Sequence, residues 1–351
     1  MKKLLKYMTP PAPDDSGASG VLFELGGIIV VCDAGGCTGN ICGFDEPRWE
    51  NRKSALFSAG LRDMDAVLGR DDKLVEKLSK AAKAVKAQFC AIIGTPVPAV
   101  IATDYRALKR MTERKTDLPC ICIDTDGTKL YDEGEKKTYL QLFKTFCLDG
   151  CEKKQGKIGV IGATPLNISE TSADRLKAAV EKNGGEAVCF GMGSDIEAVK
   201  RAGECEKNIV ISPSGIAAAE YLKERFGIPY ETAFPCLPES VVKAAQTAVD
   251  KAKKVLIIHQ QFAANALRER ILETNCNCEV SCAGWFAFEE KFSRSNDLHI
   301  KDETDLAEKV KAENYDVVIA DKACKRVLKG FEGEFVDFPH FALSGRLYDR
   351  L

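Results

Sequence analysis

The feature that most constrains this 351-residue chain is a pattern met three times: an apolar, β-branched run opens a stretch, helix-patterned sequence follows, and further runs of the same kind come after it. Such alternation points to β-α units and parallel sheets, because a strand covered on both faces reads as a continuous apolar run and reaches its parallel neighbour through a helix. The first stretch predicts strands over 27–32, 89–93 and 120–124, with helices over 71–86 and 103–114. The second opens at 157–162 after a polar link over 149–156. It continues with a helix over 171–182 that stops at Gly184 and Gly185, strands over 186–190 and 208–212, and a helix over 216–226 that stops at Gly227; glycine just past a helix end is a frequent terminator. The third opens at 253–259 and predicts a helix over 263–273, a strand over 315–320 and an extended piece over 334–338. The expected class is α/β, with three Rossmann-like lobes of parallel sheets flanked by helices, over residues 1–150, 151–250 and 251–351. Clefts between lobes, at the carboxyl ends of strands, are where such sheets bind ligands.

Charge and cysteine usage narrow the function classes. A net charge of -2 gives no electrostatic footprint for nucleic acid or an anionic membrane. The lysines over 73–86 are interleaved with acidic residues at their start, as on a solvated helix face. No run approaches the roughly 18 apolar residues of a membrane span, and the start, Met1-Lys2-Lys3-Leu4-Leu5-Lys6, lacks the apolar core of a secretory signal. The expectation is a soluble, cytoplasmic chain whose 15 cysteines are reduced thiols rather than disulfides.

Three cysteines stand out as ligand candidates. Cys37 sits in Asp33-Ala34-Gly35-Gly36-Cys37-Thr38-Gly39, directly after a predicted strand, where glycines let backbone approach a bulky inorganic ligand and a thiolate projects from the turn. The alternative is a phosphate-binding nest or a tight turn with a packed thiol. Cys90, in Phe89-Cys90-Ala91-Ile92-Ile93-Gly94-Thr95-Pro96, is a core cysteine by default and gains interest only through pairing with the Cys37 loop. Cys42 is within reach of the same turn, whereas Cys32 reads equally well as packed. Cys276, Cys278 and Cys282 lack a fourth partner and read as packed thiols, and the three histidines, His259, His299 and His340, have no zinc or catalytic spacing. There is no P-loop, so no nucleotide is expected on this chain itself.

These residues resemble the nitrogenase component 1 type of oxidoreductase, a family that includes the molybdenum-iron protein subunits, their cofactor-assembly scaffold and the subunits of light-independent protochlorophyllide reductase. Gly35-Gly36-Cys37-Thr38-Gly39 resembles the loop with the family's second cluster cysteine, and Phe89-Cys90-Ala91-Ile92-Ile93-Gly94 the loop with its third. Phe44-Asp45-Glu46-Pro47-Arg48-Trp49, the segment over 57–69, the opening 156–162, the Gly227-Ile228-Pro229-Tyr230 close and the 315–341 tail are also similar. Where the first cluster cysteine should fall, the chain reads Ala12-Pro13-Asp14-Asp15-Ser16-Gly17, so a carboxylate of Asp14 or Asp15 either replaces the thiolate or belongs to an ordinary turn.

The resemblance implies an oxidoreductase whose Cys37 and Cys90, with Cys42 as a possible third, hold an iron-sulfur cluster of the [4Fe-4S] kind. Two cysteines per subunit imply a cluster shared across a homodimer or a heterodimer with a related subunit. The expected electron donor is an ATP-dependent iron-sulfur reductase, and the expected substrate site is the interlobe cleft. Arg48 and Trp49 either line the cluster or pair and pack locally. The cysteine and histidine that hold nitrogenase's catalytic metal centre have no clear counterpart; Cys236 lies in the wrong local context, so dinitrogen reduction is not expected. An assembly scaffold of the same fold and a non-catalytic ligand-binding protein with packed thiols are the alternatives.

Overall fold

Each apolar run becomes a short strand covered on both faces, and the strands gather into three wholly parallel sheets. The computed structural model describes residues 5–51, 53–182 and 184–348, so the chain's first four residues lie outside it. In the first sheet β1 (Ile28–Val31), β2 (Ala55–Ser58), β3 (Cys90–Ile93) and β4 (Cys120–Ile123) run in the order β2-β1-β3-β4. In the second, β5 (Lys154–Ile161), β6 (Glu186–Cys189), β7 (Cys205–Val210) and β8 (Tyr230–Thr232) run β6-β5-β7-β8. The third joins β9 (Lys254–Ile258), β10 (Glu279–Gly284), β11 (Leu298–His299), β12 (Val317–Ala320) and β13 (Glu334–Asp337) as β11-β10-β9-β12-β13. Among the described residues no helix is long and apolar enough to cross a membrane.

Four strands escape the sequence pattern for physical reasons. The edge strand β2 is half exposed, so it carries no continuous apolar run. Strand β10 is largely buried but built of small residues, Ser281, Cys282, Ala283 and Gly284, which lack the β-branched signature. Strands β8 and β11 are two or three residues long. The fully buried strands β1, β3 and β12 are the ones the pattern finds.

In every sheet the strand order reverses once, between β1 and β3, between β5 and β7, and between β9 and β12. These reversals open crevices at the carboxyl ends of the strands, because the crossovers on either side depart in opposite directions. What fills or borders each crevice decides what the molecule can do.

Two contacts fix the first lobe, one within it and one to the middle lobe. The Asp14–Leu22 helix is buried along its whole length and crosses the Tyr131–Phe146 helix with backbone against backbone. A Cβ at Gly17 would collide with the Tyr131 carbonyl, and one at Gly134 with the Asp14 carbonyl. Only glycine permits this approach. The second contact is Arg48, buried and bridging to Glu46, Glu24 and two backbone carbonyls.

Gly134→Ala is expected to push the two helices apart and lower the unfolding free energy by about 1–3 kcal/mol, the usual cost of overpacking. Urea denaturation followed by circular dichroism measures it, with Gly43→Ala as the control because a Cβ there meets no neighbouring atom. An unchanged midpoint for Gly134→Ala rules out the close-approach argument.

Candidate functional site

The crevice between β1 and β3 carries the glycine-cysteine turn. Beyond β1 the Asp33 carboxylate accepts from the Thr38 amide at 2.7 Å, the Thr38 hydroxyl at 3.0 Å and the Ser58 hydroxyl at 2.6 Å, which curls residues 34–38 over the strand ends. Gly35 takes φ 120°, which a side chain would resist, and starts the Gly36–Asn40 helical turn. A wider π-turn follows over Ile41–Asp45, and Asp45 ties it back by accepting from Ser16 at 2.6 Å and Asn40 at 2.7 Å. The loop is thereby pinned to the buried Asp14–Leu22 helix.

This pinning brings three side chains into one neighbourhood: the half-buried Cys37 thiol, the Asp15 carboxyl and the Thr95 hydroxyl just beyond β3, both of which act on the proton affinity of the sulfur. Thr95 is held in place by donating to the Cys32 carbonyl at 2.7 Å. Asp14 faces elsewhere and accepts from the Asp126 and Gly127 amides, which leaves Asp15 as the carboxylate of this pair that meets the thiol.

Electrostatics at the turn are one-sided. Burial, then the negative charges of Asp15 and Asp33, push the Cys37 thiol up to about 11. Burial, then Asp14, push Asp15 up to about 6. Cys42 is raised by burial and by Asp33 and Glu46, and Asp45 is raised by burial. The nearby cation Arg48 is occupied by Glu46 and Glu24. A bound cation would favour the charged forms of thiol and carboxylate together, so the donor set suits a metal centre. Among the described residues, however, no group of three or more His, Cys, Asp or Glu side chains is gathered to hold a metal ion. One chain brings a single thiol and a single carboxyl of this kind to the turn.

The structure does not bring Cys90 to Cys37. Cys90 is the first residue of β3, registered with Ile28 and Cys120 and fully buried, whereas the crevice lies past Ile93 at the other end of the strand. Three strand residues separate the two ends by roughly 10 Å. Thr95 is the β3 residue that arrives at the turn, and the signal for it was strand polarity: ligands collect after the apolar run, not before it. Cys32 is buried at the end of β1, and Cys42 sits half-buried in the π-turn, where its carbonyl accepts from the Trp49 indole at 3.1 Å. Arg48 pairs locally with Glu46, and Trp49 packs edge-on against Phe23 at 5.2 Å. Cys276 is exposed, while Cys236, Cys278 and Cys282 are buried.

The other two crevices close on each other. Glu135, buried on the Tyr131–Phe146 helix, accepts from Thr164 at 2.5 Å, Asn167 at 2.7 Å and Ser214 at 2.7 Å, which stand beyond β5 and β7. Tyr131 donates to Asn167 at 3.0 Å and meets His340 Nε2 at 3.2 Å. His340 stacks on His259, just beyond β9, with ring centroids 4.2 Å apart. Beside His259 only about 10 Å³ remains, the least that one water needs. The junction of these two crevices is therefore filled by the chain's own side chains. Burial pushes Glu135 up to about 8 and His259 down to about 4, and it lowers His340 as well, so all three are neutral at pH 7.

Three large apolar side chains beyond the strands of the first sheet are exposed. Phe44 is 74% exposed, Val67 76% and Val100 84%, and all three lie on segments that leave the carboxyl ends of β1, β2 and β3.

Comparison with known proteins finds one family whose sequence profile, described as Nitrogenase component 1 type Oxidoreductase, matches residues 16–243, well over half of the chain. No curated protein matches. Among solved structures, one described as "Nitrogenase Cp1 at pH 6.5" superposes with a TM-score of 0.72 at 13% identity, covering 97% of this chain and 90% of that one. Another, "Nitrogenase Cp1 at pH 5", gives 0.71 at 14% identity over 99% and 86%. At such identities the likeness concerns the fold.

Two outcomes follow from the site electrostatics. Glu135 has its folded value raised above the ordinary 4.5, so its contribution to stability is fully present below pH 4.5 and is lost as pH rises towards about 8, by an amount on the order of 3–5 kcal/mol. Glu135→Gln is expected to flatten that slope in urea titrations across this range, and a slope that persists in the variant assigns it to other groups. Asp15→Asn removes a negative neighbour and an acceptor that hold the Cys37 proton, so iodoacetamide labelling of Cys37 at pH 8 should quicken about tenfold, read by peptide mass spectrometry.

Proposed function

The chain belongs to the nitrogenase component 1 type oxidoreductase family, and on that premise we propose that it is the cluster-bearing subunit of a nitrogenase-like oxidoreductase, with one [4Fe-4S] cluster held between two subunits. Members of this family bind iron-sulfur clusters and act in multisubunit complexes with a reductase component. The observation that carries the reading is the meeting of Cys37 and Asp15 beside Thr95 at the β1/β3 crevice, a half set of donors under negative charge. A second subunit presenting the same pair completes four ligands, and Cys42 stands by as a further thiol in the same turn. The exposed Phe44, Val67 and Val100, on segments that leave the carboxyl ends of β1, β2 and β3, support a contact surface at this end of the sheet.

When bound, the cluster supplies one-electron transfer at a potential set by its ligands, burial and hydrogen bonds. The chain's own residues then do the positioning. Asp33 fixes the turn through Thr38 and Ser58, Asp45 ties it to Ser16, and Thr95, anchored on the Cys32 carbonyl, stands beside the Cys37 sulfur. Electrons would come from an ATP-dependent iron-sulfur reductase docking on the assembled dimer. Substrate would meet the cluster at the seam, because the junction between the second and third lobes is filled. That filling also weighs against the assembly-scaffold reading, which needs space for a metal cofactor precursor between lobes.

Anaerobic purification with cluster reconstitution tests the reading. The expected result is a brown dimer with about four irons per two chains, the complement of one [4Fe-4S] cluster. Cys37→Ala loses the iron, Cys90→Ala keeps it, and Asp15→Cys keeps it with an altered electron paramagnetic resonance spectrum. A protein that stays colourless, or a Cys37→Ala variant that retains its iron, overturns it.

A further inference from the structure

The third lobe opens a separate cleft at the carboxyl end of its own sheet. β10 stops at Gly284, and the segment that follows walls a space of about 830 Å³ against the first turn of the Tyr131–Phe146 helix. Trp285 and Phe288 are both half-buried, so each keeps part of its ring open to the space it lines. His299 extends the aromatic wall, with its ring 5.8 Å from that of Phe288. The wall is anchored rather than loose: Asp132, nearly buried at the helix start, accepts from the Ala287 amide between the two aromatic residues.

The lining of this cleft carries four carboxyl groups, Asp132, Glu133, Glu290 and Asp297, against two basic residues, Lys129 and Arg294. Glu133 has only a 4.0 Å approach from Lys136, and Glu290 has no ion pair among the described residues. The basic residues of the lining are engaged elsewhere, Arg294 with Glu269 at 2.6 Å and Lys129 with Asp126 at 3.1 Å. Asp297 is neutralised by Arg268 at 2.5 Å. Aromatic faces carry negative quadrupole potential and attract cations, most strongly when the cation sheds water readily. Alkylated ammonium groups do so, whereas a hard metal ion requires converging oxygen ligands rather than ring faces.

We propose that this cleft binds a small organic cation, with an alkylated ammonium group against Trp285 and Phe288 and with Glu133 and Glu290 supplying the opposite charge. An anion is repelled by the same carboxylates, and a neutral apolar ligand makes no use of them. The volume accommodates more than the cationic head, so the ligand carries a further body along the cleft. The assignment stands apart from the cluster at Cys37 and shares no residue with it.

The chain has two tryptophans, Trp49 and Trp285. In a Trp49→Phe background Trp285 is the sole fluorescent reporter, and choline is titrated against its neutral isostere 3,3-dimethylbutan-1-ol at constant ionic strength set with sodium chloride. Calorimetry on the unmodified chain provides the same comparison without a substitution. The expected result is a saturable response to choline, with the neutral alcohol at least about tenfold weaker. The Glu133→Gln, Glu290→Gln double variant should weaken choline several-fold, and Trp285→Leu should abolish its heat of binding. Equal response to the alcohol, response to sodium chloride alone, or no saturable binding of choline by calorimetry overturns the proposal.

Discussion

Arg48 is the constraint on which the arrangement of the site depends. Each of its five guanidinium N–H groups finds an acceptor: Glu46 takes two at 2.7 and 2.5 Å, and Glu24, the Gly191 carbonyl and the Gly20 carbonyl take the rest at 3.0, 3.0 and 2.6 Å. The other oxygen of Glu24 accepts from the Gly193 amide, so one ion cluster joins the Asp14–Leu22 helix, the segment after the cysteine turn and the loop beyond β6 of the middle lobe. Burying such charges costs several kcal/mol of desolvation per ion, and the pairing largely offsets that cost without adding much net stability. What the cluster contributes is position. It prevents the first lobe from sliding on the second and holds Asp15 under Cys37.

The three strand-order reversals show how one architecture is put to different uses. In the second and third sheets the crevices meet face to face, and neutral polar groups fill them: Glu135 among hydroxyls and an amide, Tyr131 on Asn167, His340 on His259. A junction of that kind fixes the lobes because Glu135 is shared by Thr164 and Asn167 beyond β5 and Ser214 beyond β7, whereas His259 Nδ1 and His340 Nδ1 have no partner among the described residues. The first crevice stays open to the surface, with a glycine-rich turn and an unshared thiol.

Much of this was legible in the sequence, in proportion to how locally each property is encoded. Continuous apolar runs such as 28–31, 90–93 and 317–320 announce buried strands, and Gly35-Gly36-Cys37 announces a turn that presents a thiol. The choice between Asp14 and Asp15 was not legible, because it depends on which carboxylate the 126–127 backbone captures from more than a hundred residues away. Cys90 draws attention by its type, but it stands at the amino end of β3, and Thr95 is the residue that follows that strand's carboxyl end. The cleft beside Trp285 was invisible for a similar reason: β10 is built of small residues, so nothing marked the aromatic segment after it as the exit of a strand.

Protonation ties the proposed chemistry to assembly. A thiol held near 11 by burial and two negative neighbours, beside a carboxyl held near 6, keeps the unpaired half-site from carrying its full negative charge at neutral pH. Ligation by Cys37 and Asp15 requires both to lose their protons, and the cost falls only when positive charge arrives between them. Two half-sites facing each other without metal would place four such acidic groups together and repel once ionised. With a cationic core between them, the same groups attract it from both sides. In the proposed assembly cluster and dimer would thus be coupled by charge, each making the other favourable.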